Sequence, residues 1–147
     1  MIVLDTQILL YAVGSGHPLA GPCARLIEAI GSGRVRATTT VEVIQEFAHV
    51  RARRRSRADA ATLAVEYAHL LSPLLTGDVD VVVDAMERFR THRSLDPFDA
   101  VLGVAAIRGG ADALVTADKD FARFEGLRIW RPDGEEVEAL LAEDDPR

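Results

Sequence analysis

The chain opens MIVLDTQILLYA (residues 1–12), and the reading of this stretch decides the fold. Ile2, Val3 and Leu4 form a short continuous apolar run, the pattern of a strand buried on both faces. The run ends at Asp5, and apolar residues resume at Ile8, Leu9 and Leu10, where a helix is predicted from near Thr6 to the breaker Gly14-Ser15-Gly16. A carboxylate at the end of a buried strand is costly unless a positive or hydrogen-bonding group meets it. The next few residues offer no Lys or Arg, so the partner must come from far along the chain or from solution.

Working outward, the same alternation repeats. Residues Leu19 to Ile30 read as a helix, Val35 to Thr38 as a strand, about Thr40 to Arg53 and about Ala58 to Leu71 as helices. Pro73 and Gly77 break the pattern; Val79 to Val81 then reads as a strand and Val82 to Thr91 as a helix. A helix follows Asp96-Pro97 and stops at Gly109-Gly110. Ala113 to Val115 is predicted as a strand, Lys119 to Phe124 as a short helix, Leu127 to Trp130 as a strand and Glu135 to Ala142 as a closing helix. Strands alternating with helices imply an α/β fold with a parallel sheet covered on both faces.

The 147 residues suit one compact domain, 1–147, with an acidic tail from about residue 143 expected to fray. A single cysteine, Cys23, excludes an intramolecular disulfide and fits a reduced compartment; among its small apolar neighbours it reads as core filling. No apolar run approaches the roughly 18 residues of a membrane span, and no signal-peptide pattern opens the chain, so no membrane role and a cytoplasmic location are expected. The net charge of −6 argues against nucleic-acid binding through overall charge, but leaves room for a local basic patch.

Ligands of open parallel sheets collect at the carboxyl ends of the strands. Asp5 follows the first strand; Thr116 and Asp118 follow the strand Ala113 to Val115. Capping alone can explain Asp118, ahead of Lys119-Asp120-Phe121, and Asp96, ahead of Pro97. Asp99 is harder to dismiss. The helix that follows it, AVLGVAAI, is apolar on nearly every face, so Asp99 faces the interior or a cleft with no cation within a turn. A helix dipole contributes about 0.3–1 kcal/mol there, while desolvating the charge costs several. In TVEVIQEFAHV, a step of about 100° per residue gathers Val43, Ile44, Phe47, Ala48 and Val50 on one arc, with Glu42, Gln45 and His49 opposite and Glu46 at the border. Acids gathered at one sheet edge repel one another unless cations bind. Oxygen ligands without Cys or clustered His point to Mg²⁺ or Mn²⁺ rather than zinc.

DTQILLYA, TTVEVIQEF, LDPFDAVLGVAA and LVTADKDF, in this order, resemble the PIN-domain proteins, and especially the VapC ribonuclease toxins of bacterial type II toxin–antitoxin pairs, over nearly the whole chain. The resemblance implies a PIN-like three-layer α/β/α domain, its central, mainly parallel sheet holding four to five short strands. It implies a metal-dependent endoribonuclease using Mg²⁺ or Mn²⁺. By position, Asp5, Glu46, Asp99 and Asp118 match the four acids, with Asp120 as an accessory. Asp5 and Asp99 would be the principal ligands, with Glu46 and Asp118 acting through waters or a second metal. Thr6 and Thr116 would hydrogen-bond carboxylates or the attacking water. It also implies a homodimer and a VapB-like antitoxin whose tail covers the acidic pocket.

Arg51, Arg53, Arg54, Arg55 and Arg57 form the one strong basic cluster; the first four are the candidates for RNA phosphate contact, against a solvated helix end. Arg88, Arg90, His92 and Arg93 form a weaker patch, and the apolar Leu63 to Leu75 offers a dimer or antitoxin contact, with core packing the simpler use. Rival readings are a catalytically silent RNA- or protein-binding module and a metal-dependent DNA nuclease. An aspartate-nucleophile phosphatase would want a second Asp where Gln7 stands.

Overall fold

The computed structural model of the chain describes residues 1–142; the expectation of a frayed tail from about 143 falls outside them. Four parallel strands, β1 (Ile2–Leu4), β2 (Ala37–Thr38), β3 (Ala113–Val115) and β4 (Ile129–Trp130), form one sheet in the order β2-β1-β3-β4. Seven helices connect and cover it: α1 (Thr6–Ala12), α2 (Ala20–Gly31), α3 (Val41–Arg54), α4 (Arg57–Leu70), α5 (Val79–Thr91), α6 (Pro97–Arg108) and α7 (Glu135–Ala142). A single 3-10 turn spans Lys119–Phe121. Helices α1 to α4 pack on one another in sequence-local pairs, α5 packs on α6, and α7 touches α2.

The central strands are fully apolar because both of their faces are covered. Every residue of β1 and β3 is buried. The register sets Leu4 opposite Val115, so the next residues, Asp5 and Thr116, emerge side by side at the same edge. The Asp5 N–H extends the ladder by donating to the Val115 carbonyl at 3.1 Å. On the other flank, the Thr39 hydroxyl donates to the Leu4 carbonyl at 2.7 Å and fixes the peptide just before Asp5.

Helix α6 is the buried one, with Ala100, Leu102, Gly103, Val104, Ala105 and Ala106 all out of water. Its small residues permit close approach. A Cβ at Gly103 would lie 2.2 Å from the ring of Phe124, so only glycine fits beneath that ring. Asp96 caps α6 by accepting from the Asp99 N–H at 2.8 Å, and Pro97 occupies the first turn. Cys23 is fully buried among apolar side chains, where desolvation pushes its thiol up to about 12.

Several elements differ from expectation. Val79 to Val81 is not a strand but the first turn of α5: the Asp78 carboxylate accepts from the Val81 N–H at 3.1 Å, and a cap of that kind commits the chain to a helix. The alternating Val-Asp-Val is one end of a helix whose outer face is itself apolar. The strands expected at 35–38 and 127–130 shorten to Ala37–Thr38 and Ile129–Trp130, and the helix expected at 119–124 to one turn. Helix α4 ends at Leu70, so Leu63 to Leu75 is not one helix; residues 73–75 run beside the end of β2, with the Leu75 N–H on the Thr39 carbonyl at 2.9 Å.

Candidate active site

The carboxyl edge of the sheet opens into a cleft lined by Asp5, Thr6, Gln7, Tyr11, Glu46, Arg54, Asp96, Asp99 and Asp118. The sheet register brings Asp5 and the β3 exit together, α3 carries Glu46 and Arg54 past the opening, and the first turn of α6 supplies Asp99. The acids that the sequence placed at separate strand and helix ends therefore share one cavity wall.

Asp5 is the most constrained of them, being only 7% exposed. One carboxylate oxygen accepts from the Thr6 N–H, the other from the Thr116 hydroxyl, each at 2.7 Å. The Thr6 hydroxyl donates to Glu46 at 2.7 Å, tying α1 to α3. The Thr116 hydroxyl in turn accepts from the Asp118 N–H at 3.0 Å, and Asp118 accepts from the Asp120 N–H at 2.9 Å. The two threonines thus hold three acids in a connected array. Asp120 itself is exposed on the 3-10 turn and is not among the residues lining the cleft.

Among the described residues, no side-chain cation is bonded to this array. Burial pushes the Asp5 carboxyl up to about 6; hydrogen bonds from Thr116 and Thr6 act against that, while the charges of Glu46 and Asp118 add to it. Asp99 rises further, to about 8, by desolvation first and then by repulsion from Asp96, Asp5, Asp118 and Glu46. Groups so perturbed and lining a shared cleft make this edge the candidate functional site.

The donor set fits a hard divalent ion: carboxylate and hydroxyl oxygens, with no sulfur and no imidazole in the lining. Among the described residues, no three His, Cys, Asp or Glu side chains are drawn tightly enough to grip an ion between them alone. Mg²⁺ keeps several waters and takes one or two carboxylates directly.

The basic cluster divides. The Arg51 guanidinium forms a forked pair with Asp59 at 2.6 and 3.3 Å, bridging α3 and α4, and Arg51 is not in the cleft lining. Arg54 lines the cleft, while Arg53 and Arg55 are exposed outside it. In the second patch, Arg88 lies 4.7 Å over the Phe124 ring and donates to the Glu125 carbonyl, and Arg90 pairs with Glu87. Sequence reading missed Gln7 and Tyr11 in the lining, although they are four apart on α1 and so share a face. It also missed Thr39 and Phe98. Nothing in the sequence marks a threonine as the residue that pins Leu4, and an aromatic beside an apolar helix reads as core.

The PIN domain family model matches residues 2–127. The match spans most of the chain, and the chain belongs to the PIN-domain family. Within it, the chain is 43% identical over 148 residues to Ribonuclease VapC7 of Mycobacterium tuberculosis (strain ATCC 25618 / H37Rv), covering 97% of this chain and 99% of that protein. It is 30% identical over 131 residues to Ribonuclease VapC13 of the same strain, covering 87% and 98%. The crystal structure of Mycobacterium tuberculosis VapC20, a Sarcin-Ricin loop cleaving toxin, superposes with a TM-score of 0.66 over 87% of this chain and 99% of that one. At 21% identity that likeness speaks for the fold. By its identity to the first of these relatives over nearly its whole length, the chain belongs with the VapC ribonucleases.

Proposed function

We propose that the chain is a metal-dependent endoribonuclease toxin that hydrolyses RNA phosphodiester bonds in the cleft at the carboxyl edge of the sheet. The observation that carries this is the meeting of Asp5 and Asp99, two carboxylates far apart in the sequence that line one cavity. Kinship with proteins named as ribonucleases supports the substrate class.

Asp5 and Asp99 would hold a Mg²⁺ or Mn²⁺ ion, with Glu46 and Asp118 supporting it through water. When bound, such an ion supplies charge neutralisation at the scissile phosphate and a more acidic water. The chain's own groups do the rest. Thr116 and the Thr6 N–H fix both oxygens of Asp5, so this carboxylate needs no reorganisation on meeting its ligand. Glu46, oriented by the Thr6 hydroxyl, is placed to take a proton from the attacking water. The water oxygen bonds to phosphorus, one P–O ester bond breaks, and the departing oxygen leaves with a proton from solvent. Arg54, a cation in the cleft wall, positions a phosphate by charge.

A VapB-like antitoxin would silence this site by placing a cation among the carboxylates. Self-association is proposed through α5. Val79, Val82, Val83, Met86 and Phe89 lie on its outer face, between 36% and 72% exposed. Asp80 lies at one end of this stripe, and Arg93, just past the end of α5, at the other. An antiparallel pair of α5 helices would bury both stripes and set opposite charges together, which favours a second copy over an unrelated partner.

The direct test incubates the purified chain with single-stranded RNA and single-stranded DNA in Mg²⁺ or Mn²⁺. RNA cleavage that EDTA abolishes is expected, together with its loss in Asp5→Asn. Cleavage undiminished in EDTA or in Asp5→Asn overturns the reading, and preference for DNA selects the rival nuclease.

A further inference from the structure

The α3 residues Glu42, Gln45, Glu46 and His49 follow helical spacing and form one wall of a second groove, of about 430 Å³. Phe98, from the first turn of α6, forms the other. This groove is continuous with the acidic cleft: Glu46 lines both, and Phe98 neighbours Asp99. Phe98 is 71% exposed, on a helix otherwise buried almost throughout. Apart from Glu46, none of these residues has a part in the hydrolytic step, and the exposed ring offers a flat apolar face beside the cleft.

We infer that this groove is a nucleobase subsite, in which Phe98 stacks on the base adjoining the scissile phosphate while Gln45, His49 and Glu42 read its edge. The inference rests on the nuclease reading of the neighbouring cleft. Charge decides what part of the RNA enters. Glu42 and Glu46 repel a phosphate, so the backbone stays at the cleft with Arg54, and the neutral base turns into the groove. A base has a flat face for the ring and polar edges for the rim, and bases splayed from single strands are recognised in this way. The wall also selects among bases. Carboxylates accept only, so Glu42 favours a base that presents amino hydrogens, namely guanine, adenine or cytosine, and disfavours uracil, whose edge is mainly acceptor. Phe98 is here a positioning and specificity residue; it touches substrate but not the reacting atoms.

The test uses a short single-stranded RNA with a mapped cleavage site and a series in which each base flanking that site is replaced in turn by an abasic ribose. One abasic position is expected to slow wild-type cleavage by roughly 10- to 100-fold. Phe98→Ala should lose a similar factor on intact RNA and little more on that abasic substrate, whereas Phe98→Trp should cleave as wild type does. Uracil at the same position should be the poorest natural base, and Glu42→Gln, which adds donors to that edge, should narrow the preference. In parallel, affinity of the same RNAs for Asp5→Asn is measured with and without Phe98→Ala. It should fall with Phe98→Ala only where the base is present. Losses that multiply at every position, or an unchanged Phe98→Ala enzyme, overturn the subsite. So does a Phe98→Ala protein that changes from dimer to monomer, which would make the ring an interface between copies. If wild type cleaves no RNA, the nuclease reading fails, and the affinity series alone decides the base subsite.

Discussion

The cleft edge of the sheet and the outer face of α5 depart from the usual sorting of side chains in opposite directions. At the first, a carboxylate 7% exposed shares a cavity with four others. At the second, five large apolar side chains face water along one helix. Each region is costly in the isolated chain and would be relieved by a particular kind of partner: positive charge at the cleft, apolar surface at α5. The contrast also separates chemistry from assembly. The cleft is built from rigid parts, two strand ends and two helix starts, with threonine hydroxyls fixing the acids, as a site that must hold its geometry requires. The α5 face has no such bracing, because an apolar contact needs area and shape rather than aimed hydrogen bonds.

The sharpest way to break this comparison is to remove charge from the cleft. Asp5→Asn and Asp99→Asn are each expected to reduce kcat/KM on RNA by roughly 10²- to 10⁴-fold, the loss of several kcal/mol of charge stabilisation. Far-ultraviolet circular dichroism should stay as in wild type. A residual activity above a tenth of wild type would show that these acids are structural caps.

The same acids make the metal-free protein sensitive to pH in an unusual sense. A carboxyl raised in the folded state holds its proton more tightly there than in the unfolded chain, where its ordinary value is 3.8. Its contribution is therefore fully present below about pH 4. It is lost as pH rises through about 6 for Asp5 and about 8 for Asp99. In EDTA, Tm should fall between pH 5 and 8, with Asp5 contributing on the order of 1–3 kcal/mol. Mg²⁺ should raise Tm at pH 8 far more than at pH 5, and Asp99→Asn should raise the metal-free Tm at pH 8 while weakening the response to Mg²⁺. A flat metal-free profile would mean that the cleft carboxylates are solvated after all.

At α5 the expected change is in assembly rather than in chemistry. Val83→Asp or Met86→Asp should convert a dimer to a monomer in sedimentation, with stability changed by no more than about 0.5 kcal/mol because both positions are exposed. A dimer that survives Val83→Asp with Met86→Asp would place the interface elsewhere.

The two regions were unequally legible in the sequence. Asp5 and Asp99 were readable because an acid bordering a continuous apolar run is a local contradiction, visible without knowing what surrounds it. The parallel sheet followed from the alternation of elements. The α5 face was not readable, since Val-Asp-Val at 79–81 shows the period of a strand and only the Asp78 cap, a three-dimensional hydrogen bond, decides for the helix. The fate of arginines was equally hidden: RARRRSR reads as one patch, yet each side chain's partner depends on which way α3 and α4 pack.

That last point gives the smallest and most discriminating measurement, because it splits neighbours within one cluster. Arg51 and Arg54 lie three residues apart on α3, carry the same group and are indistinguishable by composition. Arg51 is held by Asp59 between two helices, whereas Arg54 faces the cleft. A phosphate contact releases counterions and leaves its mark on the salt dependence of binding, while an internal ion pair does not. Affinity of single-stranded RNA for the Asp5→Asn protein, followed across salt concentration, should therefore lose about one unit of log–log slope in Arg54→Ala. In Arg51→Ala the slope should hold and Tm should fall slightly, as the pair joining α3 to α4 is cut. Equal slopes in the two variants would return Arg54 to the solvated end of its helix and leave the cleft without a phosphate-positioning cation of its own.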